Sequence, residues 1–229
     1  MTQPYELTAS EARKLIGQKK ISSVELLKSC LDRIEKVNPI INAIVAIDQS
    51  VAIENAKQAD KKTLNGEELN LLHGLPVGIK DLCMVKNLRS TSGSLINENH
   101  IPNEDDEIVK KIRNEGGIIF CKTNTPEFGA GGNTTNKVYG TTVNPFDIKK
   151  SAAGSSGGSA AALACDMLPL ANGSDYGGSL RTPSGFCGVS GFRPSPGIVP
   201  TVDSSICLNP FSVQGPMGKN VIDTFLLLQ

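Results

Sequence analysis

The stretch that decides the reading spans residues 151–191, SAAGSSGGSAAALACDMLPLANGSDYGGSLRTPSGFCGVSG. It contains two Gly/Ser knots, Gly154-Ser155-Ser156-Gly157-Gly158-Ser159 and Gly173-Ser174-Asp175-Tyr176-Gly177-Gly178-Ser179, separated by an Ala/Leu run. Glycines this dense let backbone N–H groups approach a ligand, because no Cβ stands in the way. Serines among them are candidate nucleophiles or hydrogen-bond relays. A flexible Gly/Ser linker is the plain alternative. The apolar run between the knots argues against it and predicts a buried element there.

Outward from that stretch, short apolar segments alternate with helical patterns. Thr8-Ala9-Ser10-Glu11 and Ser22-Ser23-Val24-Glu25 are capping boxes. The first predicts a helix ending near Gly17. The second predicts one carrying Leu27, Cys30, Leu31, Ile34 and Val37 on its apolar face, with Pro39 beyond its end. Residues 43–47 read as a strand and 50–62 as a helix with Ala52, Ala56 and Ala59 on one face. Pro76 opens a strand whose inward residues include Val77 and Ile79, with Lys80 at its end beside Asp81. Asp105 is predicted to cap a helix with Ile108, Val109 and Ile112 inward, stopping at Gly116-Gly117. Residues 118–121 follow as a strand. The polar segment 123–142 is too long for a mere connector and reads as a functional loop. At the chain's end Val221, Phe225 and Leu228 form an apolar helical stripe that nothing caps, so the chain reads as cut inside an element. The pattern predicts one α/β domain over 1–229, with a helical segment at about 8–62 and a core at about 74–195. Its sheet is mixed and largely parallel, covered by helices on both faces.

Composition narrows the class. Of 229 residues, 39% are apolar and 20% charged, and the net charge is zero, which describes a globular chain with no electrostatic preference for nucleic acid or an anionic membrane. No apolar run reaches membrane-span length, and the first twenty residues do not read as a signal peptide, so a cytoplasmic location is expected. The six cysteines form no C-x-x-C pair and read as reduced, buried thiols. His73 and His100 lack metal-ligand spacing.

Gly154-Ser155-Ser156-Gly157-Gly158 formally matches the G-x-S-x-G nucleophile elbow, but both histidines precede Ser156, whereas that motif needs one after it. A His, Asp, Ser order would need an all-β barrel, which the helical patterns oppose. No P-loop string occurs. A serine nucleophile without histidine needs another base. Lysine serves when burial lowers its pKa from about 10.4 toward roughly 7 to 8. Lys80 is the best candidate, although a lysine after an apolar strand is commonly a snorkelling surface charge.

The segments GLPVGIKDL (74–82), AAGSSGGSAAA (152–162) and GSDYGGSLRTPSGFCGVSGFRP (173–194) resemble the amidase signature family. The spacings from Lys80 to Ser155 and from Ser155 to Ser179 fit too. So do TNTPEFGAGG (123–132), NPFD (144–147) and GPMGKNVIDTFLLL (215–228). The resemblance covers nearly the whole chain and implies the amidase signature fold, incomplete at its C-terminus because family members are longer. It implies a Ser–cis-Ser–Lys triad with Ser179 as nucleophile, Ser155 as bridge and Lys80 as base. Backbone N–H groups of Tyr176, Gly177, Gly178 and Ser179 would hold the oxyanion. Gly129 and Gly131 would line the substrate site, Asp175 and Arg181 would fix the loop, and Ser156 would be a structural hydrogen-bonder. Tyr176 departs from the threonine often found at its place. The implied activity is hydrolysis of a small-molecule amide without metal or organic cofactor; a homodimer is among the expectations. Alternatives are the glutaminase subunit of a tRNA-dependent amidotransferase and a non-catalytic fragment. The segment Phe192-Arg193-Pro194-Ser195-Pro196-Gly197 resembles stand-alone amidases more than that glutaminase.

Overall fold

Two capping boxes set the start of the fold. In the computed structural model, which describes residues 3–200 and 209–229, Thr8 and Ser22 each accept the backbone N–H of the glutamate three residues on. Those glutamates reach back to the cap N–H groups, satisfying donors that a helix start leaves orphaned. Helices α1 (Ala9–Gly17) and α2 (Ser23–Ile41) follow. The second runs through Pro39 rather than stopping before it. The stop comes at Asn42, which adopts a left-handed conformation (φ 55°), while the Asn38 side chain accepts the N–H groups of Ala43 and Ile44. Proline costs this helix only one hydrogen bond in its last turn; the two asparagines supply the turn that ends it.

Strand β1 (Ile44–Ile47) leads into α3 (Gln49–Asn65), capped by Asp48 and closed by left-handed Gly66. Strand β2 (Pro76–Lys80) is buried at every position. Next comes α4 (Glu107–Asn114), whose N-cap is Asp106 and not Asp105. The Asp105 carboxylate instead accepts the Lys86 N–H and pairs with Arg113 at 2.9 Å, so it ties the loop to the helix end. Ile108 on this helix is only partly buried. Strand β3 (Ile118–Thr123) extends two residues past the expected end. The long polar segment after it holds a 3-10 turn and a hairpin of β4 (Thr135–Asn136) and β5 (Gly140–Thr141). The Ala/Leu run becomes α5 (Gly157–Ala164) and feeds β6 (Leu170–Asp175). Helix α6 (Arg181–Cys187), β7 (Ser190–Gly191), β8 (Val213–Gly218) and α7 (Val221–Leu228) complete the chain.

The six-stranded sheet has the order β1-β3-β2-β6-β8-β7. Strand β2 pairs parallel with both β3 and β6, and the remaining pairings are antiparallel. Strands β2, β3, β6 and β7 therefore run one way, and β1 and β8 the other, in the mixed, largely parallel sheet the sequence predicts. Alternation across the strands sorts the helices. Ile118 and Phe120 pack with α2, α3 and α5, whereas Val77, Ile79 and Ile119 pack with α1, α4 and Leu226 and Leu227 of α7. With Val77 and Ile79 committed to the second face, Lys80 points to the first, toward the start of α5. The terminal stripe is helical as predicted but faces outward. Val221 is 76% and Phe225 57% exposed, because α7 turns Asp223 and Thr224 inward to bond the chain's other segments. Five of the cysteines are free and buried, and Cys207 lies outside the described residues.

Candidate active site

A cleft of about 600 Å³ opens where β2 and β6 end and α5 begins. This is the usual ligand position in sheets with parallel strands, beyond their carboxyl ends. Its walls include Leu82, Phe128, Gly129, Gly131, Ser155, Ser174, Tyr176, Gly177 and Ser179. The loop glycines expected there are in place, and Gly129 (φ 72°) is so close to Leu82 that a Cβ would lie 2.7 Å from its Cδ1.

Lys80 sits under this cleft with its side chain fully buried. Its Nζ lies 2.7 Å from Ser155 Oγ, 2.9 Å from Ser156 Oγ and 2.8 Å from Ser174 Oγ. Among the described residues no carboxylate pairs with it. Burial therefore dominates and pushes its pKa down to about 7. A neutral amine has two N–H donors and one lone pair, which matches three hydroxyl neighbours. The Ser156 hydroxyl donates to the Ser174 carbonyl at 3.3 Å, so toward Lys80 it accepts. That leaves Ser155 and Ser174 as the hydroxyls able to donate to the lone pair. Ser155 is next to the N-terminus of α5 and follows a cis peptide bond from Gly154, as the sequence resemblance implies.

Ser179 lines the same cleft, half-buried, and its backbone carbonyl accepts the Ser156 N–H at 3.3 Å. Among the described residues no hydrogen bond joins the Ser155 and Ser179 hydroxyls. The structure thus brings Lys80 and Ser155 into contact and sets Ser179 in the same cleft beside them.

The loop from Asp175 to Ser179 is fixed by one buried carboxylate. Asp175 accepts the N–H groups of Gly178 (2.8 Å) and Leu180 (3.1 Å), both arms of Arg181 (3.0 and 3.1 Å), and Arg193 (3.0 Å). Burial pushes its carboxyl pKa up, but the Arg181 and backbone hydrogen bonds outweigh that and hold it well below the usual carboxylate range. One expectation changes here. The Gly178 N–H is engaged by Asp175 and is not free for an oxyanion. The N–H groups of Tyr176, Gly177 and Ser179 have no partner among the described residues and remain available.

Sequence reasoning missed three participants, and a second buried lysine that does not line the cleft. Ser174 lies inside the quoted knot with no feature to distinguish it. Arg193 and Asn172, whose Oδ1 accepts the Lys80 N–H at 2.7 Å, carry no local signal. Lys122 does carry one. It lies one residue before the end of an apolar strand, yet its Nζ is paired with buried Asp81 at 2.9 Å and donates to the Cys83 carbonyl and Ser90. Among the described residues no group of three or more His, Cys, Asp or Glu side chains is arranged to hold a metal ion. None of the helices described there is long and apolar enough to cross a membrane.

The model of the Amidase family matches residues 25–229. The chain belongs to that family. Over 224 residues it is 41% identical to a glutamyl-tRNA(Gln) amidotransferase subunit from Thermoanaerobacter pseudethanolicus, covering 98% of this chain and 46% of that protein. The fold of a bacterial aryl acylamidase of the amidase signature enzymes superposes with a TM-score of 0.92 at 32% identity, covering 97% of this chain and 46% of that one. Peptide amidase from Stenotrophomonas maltophilia gives 0.90 at 28% identity, covering 99% and 48%. The chain thus spans about half the length of the relatives it matches.

Proposed function

We propose that this chain carries the acyl-transfer centre of an amide hydrolase that works through a seryl acyl-enzyme. The observation behind this reading is the fully buried Lys80 amine, its pKa brought to about 7 by desolvation, 2.7 Å from a serine hydroxyl in an open cleft. Neutral Lys80 accepts the Ser155 proton as Ser155 accepts that of Ser179. Ser179 Oγ then attacks the amide carbonyl carbon. The developing oxyanion is held by the N–H groups of Tyr176, Gly177 and Ser179; loss of one such donor costs about 10²–10³ in rate. The C–N bond breaks as the proton returns along the relay to the leaving amine. Water, deprotonated by the same relay, releases the acid and restores the Ser179 hydroxyl.

A serine-directed fluorophosphonate tests the assignment. Wild type is expected to be labelled at Ser179, Ser179→Ala to lose labelling and turnover, and Lys80→Ala to fall by about 10²–10⁴-fold. A folded Ser179→Ala protein that hydrolyses amides at the wild-type rate overturns it. The names of the curated relatives favour a second reading, the glutaminase subunit of a tRNA-dependent amidotransferase. Ammonia release from glutamine only in the presence of a tRNA-binding partner would select that one. A cytoplasmic location accords with either.

A further inference from the structure

Phe128 has an uncommon placement. Its backbone is left-handed (φ 51°, ψ 20°) and its N–H is tied to the Ser92 carbonyl at 2.7 Å. A bulky residue without glycine's freedom is disfavoured there, and such strain persists where surrounding structure enforces it, typically at ligand-binding sites. The ring contributes nothing to the core in return. It is 55% exposed and lines the cleft. Tyr176, 66% exposed, lines the same cleft and rests on Phe211 with ring centroids 5.8 Å apart. Leu82 and the Gly129–Gly132 loop supply the rest of the apolar lining. No charged side chain lines the cleft among the described residues. The nearby acids are already engaged, Glu127 by Ser94 at 2.7 Å and Asp175 by two arginines.

Building on the hydrolase reading above, we propose that the cleft selects amides bearing an uncharged aromatic or bulky apolar group, with Phe128 and Tyr176 as the specificity-determining residues. The Tyr176 ring is attached to one of the N–H donors assigned to the oxyanion, so a substituent next to the scissile carbonyl meets that ring. Glutamine would bring an ammonium and a carboxylate to a lining in which the described residues supply no counter-ion, so the two aromatic rings favour benzamide over it.

Saturation-transfer NMR on the purified protein with benzamide, acetamide and glutamine reads this binding without requiring turnover. Glycine adopts the Phe128 backbone geometry freely, so Phe128→Gly removes the ring and leaves the loop. Tyr176→Thr removes an exposed ring. Benzamide is expected to bind more tightly than acetamide or glutamine, and each variant to weaken it about tenfold or more. Benzamide binding no tighter than acetamide, unchanged in either variant, or weaker than glutamine overturns the proposal. Failure to label wild-type Ser179 while benzamide selectivity persists overturns the hydrolase assignment instead, so the two failures are distinct.

Discussion

Lys80 ends buried strand β2 and Lys122 lies one residue before the end of buried β3, yet they meet opposite surroundings. Lys122 has the Asp81 carboxylate at 2.9 Å, whereas Lys80 has three hydroxyls. Burial without a counter-ion is costly to the charged form, which makes Lys80 unhelpful to stability and suits it to the base role proposed for it. The sign follows from linkage. The folded-state pKa, about 7, lies below the unfolded value near 10.5. Below pH 7 the amine is protonated in both states and the full penalty applies. Between about pH 7 and 10.5 the unfolded chain binds the extra proton, so rising pH relieves the penalty and stability grows. Lys80→Met is therefore expected to raise the melting temperature at pH 6, with the gain shrinking by pH 9.5. Thermal unfolding of both proteins at the two pH values checks this. A gain that grows with pH contradicts the assigned burial effect.

At the scale of elements, α5 reaches the site only because its first residues are glycines. A Cβ on Gly158 would lie 2.2 Å from the Asn124 backbone nitrogen and 2.5 Å from its carbonyl oxygen, neither of which can yield without moving β3's exit. Gly177, in the second knot, has open space around its Cβ position. Gly158→Ala is expected to destabilise the protein by ~1–3 kcal/mol or more, and Gly177→Ala to stay within about 0.5 kcal/mol of wild type. Urea unfolding midpoints read both. Equal effects would show that the knots serve the same role, contrary to this packing.

Across the whole molecule, the two ends of the chain hold one another. Lys219 Nζ donates to the Tyr5 carbonyl at 2.6 Å and the Leu7 carbonyl at 3.1 Å, and pairs with Asp166 at 2.6 Å. Asp223 accepts the Ser10 N–H at 3.0 Å, fixing α7 against the start of α1. Lys219→Met strips these acceptors of their donor and is expected to cost about 1–3 kcal/mol. Hydrogen exchange should accelerate over α1 while β2 and β3 stay protected. Uniform acceleration would mean that the clamp supports the sheet rather than the N-terminal helices.

Much of this protein was legible in its residues because the signals were local. Capping boxes fixed the starts of α1 and α2, alternation placed Val77 and Ile79 inward, and three motifs in order named the family and the positions of Lys80, Ser155 and Ser179. Pro39 misled because a helix end depends on what satisfies its last carbonyls, and beyond it the Asn42 N–H reaches the Asn38 carbonyl while the Val143 N–H reaches that of Ile41. The terminal apolar stripe marked a helix correctly, but periodicity identifies a helical face without saying which face is covered. Only tertiary structure decided that Lys80 loses its water and Lys122 keeps a partner. It also placed Ser174 against the Lys80 amine and turned the Gly178 N–H toward Asp175. Those outcomes depend on which atoms meet across the sheet, between residues distant in sequence, and no local pattern encodes such meetings.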